Sequence, residues 1–246
     1  MGALRVRGGG LVRDRTTAAR LDRATCAALV AAVLMPVALG LIFFYVPNDA
    51  DQGFSQRIFY FHVPIAMTTY ALFAWGALNA ARYLWTGDMS LDLRSYVPMH
   101  LGVIFGTLTL VTGSFWAKVS WGTWWYWGST ELNTFLIIFL FYCAYFMLRF
   151  SVDPGEKRAR YSAVYALLGV GLIPISVLAV HLGQDVIHPI TFTDHGANMD
   201  GSMLFTFLMA LAAMLSLAVA MYLVELRGKR LDEQVTRLRR LAEGTR

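Results

Sequence analysis

Six long stretches of the chain carry at most one charged residue each: Ala24–Val46, Val63–Trp85, Pro98–Val119, Leu132–Phe150, Tyr161–Leu182 and Ser202–Leu226. Each is near the ~20 apolar residues that cross a bilayer as a helix. The segments between them are short, which predicts an all-α integral membrane protein with six transmembrane helices in an antiparallel bundle. Pro36, Pro64 and Pro174 lie within or at the starts of these stretches, where neighbouring helices can tolerate them. The first stretch is too long for the apolar core of a signal peptide. It ends in Phe43-Phe44-Tyr45 with no small-residue cleavage site, so it is expected to stay as the first helix.

Composition agrees with the pattern. The chain is 57% apolar and 15% charged, the balance of a membrane protein and not of a soluble domain. The net charge of +5 is unevenly placed. The arm 1–23 holds Arg5, Arg7, Arg13, Arg15, Arg20 and Arg23, the 86–97 loop holds Arg94, and the 151–160 loop holds Lys157, Arg158 and Arg160. The tail from Arg227 is also basic. The other three loops carry Asp49, Asp51, Glu131, Asp185, Asp194 and Asp200, with only Arg57 and Lys118 as nearby cations. By the positive-inside rule both termini are expected in the cytoplasm. The 47–62 loop, the segment 116–131 and the 183–201 loop then share the outer face. The reading divides the chain into a basic arm at 1–23, expected to be disordered, a membrane domain at 24–226, and a tail at 227–246. The tail has Leu231, Val235, Leu238 and Leu241 at helical spacing, which predicts an amphipathic helix that meets a surface or a partner. No basic stretch is interleaved with aromatics, which argues against a nucleic-acid interface.

The candidate chemistry lies on the outer face. Residues 116–127 hold five of the seven tryptophans: Trp116, Trp121, Trp124, Trp125 and Trp127. Tryptophan is common at membrane interfaces, so these can be belt anchors. Five in so short a run, with Gly122 expected to permit close backbone approach, also suit a flat aromatic platform for a large planar ligand. His62, in Arg57-Ile-Phe-Tyr-Phe-His-Val-Pro, and His188, in Gln184-Asp-Val-Ile-His-Pro, flank this segment. Imidazole is the usual protein ligand to haem iron, and a haem held on both faces needs two from opposite sides. Each histidine taken alone reads equally as a hydrogen-bonded interface residue, and the set taken piecewise fits a haem or a quinone. Arg57 or Lys118 can pair with a carboxylate such as a propionate, or with lipid headgroups. His181 competes with His188, whereas His100 starts the third stretch at the cytoplasmic side and His195 lies in a polar loop. Cys26 and Cys143 fall inside apolar stretches and read as small packed residues. The absence of Cys-x-x-Cys-His excludes the covalent haem attachment of c-type cytochromes.

These motifs together carry a family resemblance. Gly-Ser-Phe-Trp-Ala-Lys at 113–118, followed by Trp-Gly-Thr-Trp-Trp-Tyr-Trp at 121–127, resembles the signature of the tryptophan-rich haem-handling proteins of cytochrome c maturation. Within that superfamily the chain is most similar to the CcmC family, haem exporter protein C of the system I pathway. The segment 57–64 ending in His-Val-Pro matches the family's, as does the run Leu132 to Arg149, and the likeness extends from about 25 to 226. The resemblance implies haem b bound without covalent attachment on the outer face. It implies His62 and His188 as the two iron ligands, with Trp116, Trp121, Trp124, Trp125, Trp127 and Arg57 around the group. It also implies delivery to the membrane-anchored haem chaperone CcmE, together with the small protein CcmD and the ATP-binding-cassette pair CcmA and CcmB. The chain departs from the family pattern where Trp127 is followed by Gly128-Ser129-Thr130-Glu131 instead of an Asp and a nearby Arg. It departs again at Gln184–Ile187, where the family often has paired tryptophans.

The implied protein is a haem carrier of the bacterial cytoplasmic membrane, with no bond-making step of its own. Two other classes share parts of this pattern. A haem lyase shares the tryptophan signature but is usually longer or carries a large outer domain. A membrane b-type cytochrome normally spreads its histidines over both sides of the bilayer, whereas both good candidates here lie on one side.

Overall fold

The computed structural model describes residues 22–49, 52–182, 192–193, 196–197 and 199–243; of 177, 179–182 and the four residues at 192–197 it describes the backbone alone. Residues 1–21 of the basic arm, His188 and His195 therefore lie outside the described residues.

Among the described residues, six helical spans are long and apolar enough to cross a membrane. Helix α1 covers Arg23–Gly40 and runs into a π turn at Leu41–Tyr45. Its cap is Asp22, whose carboxylate accepts the Thr25 backbone N–H at 2.8 Å. That bond, then the Thr25 hydroxyl, holds the Asp22 carboxyl below its ordinary range. A 3-10 turn at Phe54–Ile58 leads into α2 at Phe59–Thr86, followed by α3 at Ser90–Trp121 and α4 at Thr130–Ser151. Next come α5 at Glu156–Val170, α6 at Leu172–Leu182 and α7 at Gly201–Glu243. Between α6 and α7, Phe192–Thr193 and Gly196–Ala197 form a two-residue antiparallel pairing.

Helix α2 is the centre of the bundle and packs on α3, α5 and α7, while α1 packs on α7. Consecutive spans run antiparallel. At one end Trp116 Nε1 donates to Gln52 Oε1 at 3.1 Å, joining the end of α3 to the α1–α2 loop. At the other end Arg149 donates to both carboxylate oxygens of Asp92, at 2.8 and 2.7 Å, with its guanidinium over the Tyr96 ring. Asp22 pairs with Arg227 at that same end, joining the starts of α1 and the tail.

The helices meet through small residues, as they must in lipid, where no hydrophobic force drives one apolar helix onto another. A Cβ on Gly76 of α2 would lie 2.7 Å from Met99 of α3, and one on Gly102 of α3 would lie 2.5 Å from the Phe73 ring of α2. Phe73 in turn stacks on Tyr142 of α4, ring centres 3.7 Å apart. Buried hydroxyls turn back onto their own helix: Thr68 donates to Pro64 O, and Thr69 to Ile65 O. Lipid-facing positions such as Val33, Leu78 and Met147 are exposed and apolar.

Three boundaries differ from the sequence pattern. The second helix begins at Phe59, not at Val63, so His62 stands on a helix and not in a loop. The fifth stretch is two helices joined at Gly171. Pro174, third residue of α6, has no N–H, and its ring crowds the carbonyl four residues back, that of Val170. The last span does not stop at Leu226: α7 continues unbroken through the tail to Glu243. The exposed Leu231, Val235, Leu238 and Leu241 thus extend a membrane helix outward.

Gly102→Ala should lower stability by about 1–3 kcal/mol, because the added methyl meets a ring already pinned by its stack. Gly40→Ala, with nothing within 4 Å of the new Cβ, should be neutral or slightly stabilising. Thermal unfolding of both variants in detergent checks the contrast.

Candidate functional site

His62 occupies the fourth position of α2, at the end of the bundle where the α1–α2 loop and the tryptophan segment meet. Its Nδ1 lies 3.0 Å from the Thr112 hydroxyl of α3. Its ring meets Trp116 edge-on, centroids 5.7 Å apart. Gly113 leaves the room for the ring, since a Cβ there would come within 2.8 Å of His62 Cε1.

His62 opens onto a cavity of about 230 Å³ between α2, α3, α4 and α6. Down α2 the wall is His62, Ala66 and Tyr70, spaced one turn apart; down α3 it is Trp116, Gly113 and Thr109. Trp121 and Trp125 close the top, and Leu132 and Phe135 of α4 supply the opposite apolar side. At the deep end the Tyr70 and Ser176 hydroxyls are 2.9 Å apart. Glu131, 9% exposed in the first turn of α4, also lines the cavity. The volume is below the ~300–1,000 Å³ of pockets that enclose a drug-sized ligand. A large planar ligand seated against His62 would therefore stand partly outside, toward the tryptophan segment.

The five tryptophans do not form one flat surface. Trp116 is buried, 6% exposed, with its indole N–H spent on Gln52. Trp121 and Trp125 line the cavity. Trp124 and Trp127 are 53% and 73% exposed and do not line it. Trp125 and Trp127 are inclined at 60° to each other. Asn133 of α4 holds this segment: it accepts from Trp125 Nε1 at 3.4 Å and donates to the Trp127 carbonyl at 2.6 Å. Ser129 caps α4 through the Leu132 N–H, which gives the departure after Trp127 a local role as a helix start. A Cβ on Gly128 would meet the Tyr126 ring at 2.6 Å, so an Asp there would displace that ring. Gly122 serves by its φ of +75°, which ends α3, and not by close approach, since nothing lies within 4 Å of its would-be Cβ.

The two candidate cations are engaged locally. Arg57 donates to the Ile42 and Phe43 carbonyls, each at 2.6 Å, and to Asn48 Oδ1 at 2.9 Å. It thereby satisfies the end of the first span, and it lies over the Phe54 ring. Lys118 donates to the Gly122 carbonyl at 2.9 Å. Neither lines the cavity. His100 lies at the other end of the bundle, 2.8 Å from Glu225. Thr112, Gly113 and Asn133 are the residues that sequence reading missed. Gly113 stood inside the 113–118 motif and Asn133 inside the run Leu132 to Arg149, whereas Thr112 stood in neither.

A polytopic helical membrane protein with a histidine- and tryptophan-lined cavity at one end is the class that this fold and site define. Residues 14–241 match the family model for CcmC, "Heme exporter protein C", and the chain belongs to that family. The heme exporter protein C of Bradyrhizobium diazoefficiens is 31% identical over 215 residues, covering 85% of this chain and 80% of that one. A Marchantia polymorpha mitochondrial protein, described as ccmC-like and of cytochrome c biosynthesis, is 30% identical over 194 residues, with 79% and 82% covered. The heme exporter protein C of Escherichia coli is 32% identical over 149 residues, 60% of each chain.

Asn133→Leu should free the tryptophan segment by removing two hydrogen bonds of about 0.5–1.5 kcal/mol each. Steady-state fluorescence should then show red-shifted emission and stronger iodide quenching, with the helical circular dichroism unchanged.

Proposed function

We propose that this protein binds haem b at the outer face of the bacterial cytoplasmic membrane and passes it to the haem chaperone CcmE for c-type cytochrome biogenesis. The observation that carries the reading is His62 at the mouth of an apolar cavity under Trp121 and Trp125, in a chain of the heme exporter protein C family. The residues present fit the group. An imidazole supplies a nitrogen donor, aromatic and aliphatic side chains supply an apolar seat, and Trp121 and Trp125 supply ring surfaces. Haem, once bound, would supply an iron that accepts imidazole nitrogen donors.

In this reading His62 and His188 would be the residues that hold the iron, each through an imidazole nitrogen. Trp121 and Trp125 would offer ring surfaces to the group, and the exposed Trp124 and Trp127 would be free to meet the partner. Trp116 acts from behind, as a wall that fixes the His62 ring. Arg57 acts one step further back, by tying the first span to the start of α2. The protein is a carrier with no bond-making step, so its ligands must release, and a cavity too small to enclose the group favours release. The arm at 1–23 and the tail at 227–246 lie in the cytoplasm, and CcmD, CcmA and CcmB are its further partners.

The ligand reading has a spectroscopic test. His62→Ala and His188→Ala should each alter the Soret and visible bands and lower bound haem, with partial recovery on adding imidazole; His181→Ala and His100→Ala should leave the bands nearly unchanged. A normal spectrum in His188→Ala with a lost one in His181→Ala would move the second ligand, and full normal spectra in both outer variants would end the model. For orientation, reporter fusions after Asp153 and at the C-terminus should report cytoplasm, and those near Asp51 and Asp194 the outside. A cytoplasmic signal at Asp51 would overturn the shared outer site.

A further inference from the structure

The hydrogen bond between His62 and Thr112 stands beside two carbonyls that compete for the Thr112 hydroxyl hydrogen. Thr112 has one hydroxyl hydrogen. Its Oγ1 lies 2.8 Å from the Leu108 carbonyl and 3.2 Å from the Thr109 carbonyl. Carbonyl oxygens only accept, so these two draw the hydroxyl hydrogen toward its own helix backbone. What remains on Oγ1 for His62 is a lone pair. With the hydroxyl hydrogen on that side, His62 Nδ1, at 3.0 Å, is the donor, and in a neutral ring Nε2 carries the lone pair.

The ring's place is set as well as its tautomer. A Cβ on Gly113 would stand 2.8 Å from Cε1, 3.4 Å from Nδ1 and 3.6 Å from Nε2. The backbone of α3 therefore supports the edge of the ring that carries both nitrogens. Trp116, one turn on, meets the ring edge-on at 70°. Three positions of α3 thus meet one side chain of α2.

We propose that Thr112 is a positioning residue for His62, selecting the tautomer whose Nε2 is the iron-ligating nitrogen, with Gly113 fixing where that nitrogen stands. The inference rests on the reading of His62 as a haem ligand. A partner that accepts from the distal N–H of a ligating histidine fixes the ring and raises the basicity of the ligating nitrogen, and its loss typically costs 10–100-fold in metal affinity. A more basic ligand favours ferric over ferrous iron. Loss of the Thr112 acceptor should therefore raise the midpoint potential of the bound group.

The test uses the full-length chain in membranes, with nitrogen-15-labelled histidine, in a haem-free arm and a haem-titrated arm. The His62 signals are identified by their absence in His62→Gln. In the haem-free parent at a pH where the ring is neutral, Nδ1 should carry the proton. Thr112→Val, equal in shape but without an acceptor, should shift the proton toward Nε2; Thr112→Ser should not. With haem added, Thr112→Val should bind 10–100-fold more weakly and at a higher midpoint potential, and Thr112→Ser should match the parent. Gly113→Ala should also weaken binding while leaving the proton on Nδ1. A proton on Nε2 in the haem-free parent would overturn the inference. So would a Thr112→Val protein with parental affinity and potential while His62→Ala loses haem. Full, spectrally normal haem in His62→Ala would instead overturn the ligand reading itself, and the haem-free arm reports the tautomer independently of that result.

Discussion

The close approach of α2 and α3 is the constraint on which the rest depends. Lipid gives apolar helices no reason to prefer each other, so their contact rests on van der Waals fit and on the few polar groups between them. Here the fit is made by glycines placed along one line. Gly76 receives Met99, Gly102 receives Phe73, and Gly113 receives His62. Ser95 of α3 donates to the Gly76 carbonyl at 2.8 Å near one end of this line, and Thr112 meets His62 at the other. Structural packing and the candidate ligand are thus successive contacts of one helix pair. A functional histidine on such a seam is held by the same close packing that holds the fold.

Around that seam, each other element has a distinct task. Helix α4 closes the cavity with Leu132 and Phe135 and clamps the tryptophan segment through Asn133. The first span is fastened to the start of α2 by Arg57, whose guanidinium takes up carbonyls that the π turn leaves open. Helix α7 backs α2 from the other side and carries the chain into the tail. The polar network of Asp92, Arg149 and Tyr96 lies at the far end. That charge pair is nearly buried, with Arg149 5% exposed, and loss of Asp92 would leave an uncompensated cation.

The spans were legible because a membrane demands long uncharged stretches, and that demand is local in sequence. The tryptophan segment and His62 stood out because five indoles fall within twelve residues beside a histidine, and the structure brings His62, Trp121 and Trp125 to one cavity. What sequence reading missed is tertiary. Nothing in the residues before Val63 announces that a 3-10 turn starts the helix early, because that turn is supported by Arg57 reaching back to the first span. The break at Gly171 was written in Pro174 but hidden by an apolar run that continues through it. The expected flat platform failed because Trp116 belongs to a helix facing inward, while Trp124 and Trp127 sit on a loop facing out. Arg57 looked like a partner for a ligand carboxylate, yet backbone carbonyls nearby in space had a prior claim that spacing alone does not reveal.

Electron paramagnetic resonance of the ferric haem-loaded chain, with histidine alone labelled with nitrogen-15, addresses the central claim most directly. Ligation by His62 and His188 gives a low-spin ferric signal with hyperfine coupling from two coordinated histidine nitrogens, one of them lost in His62→Ala. A low-spin signal without histidine coupling, or one whose two histidine couplings survive in His62→Ala, would contradict it.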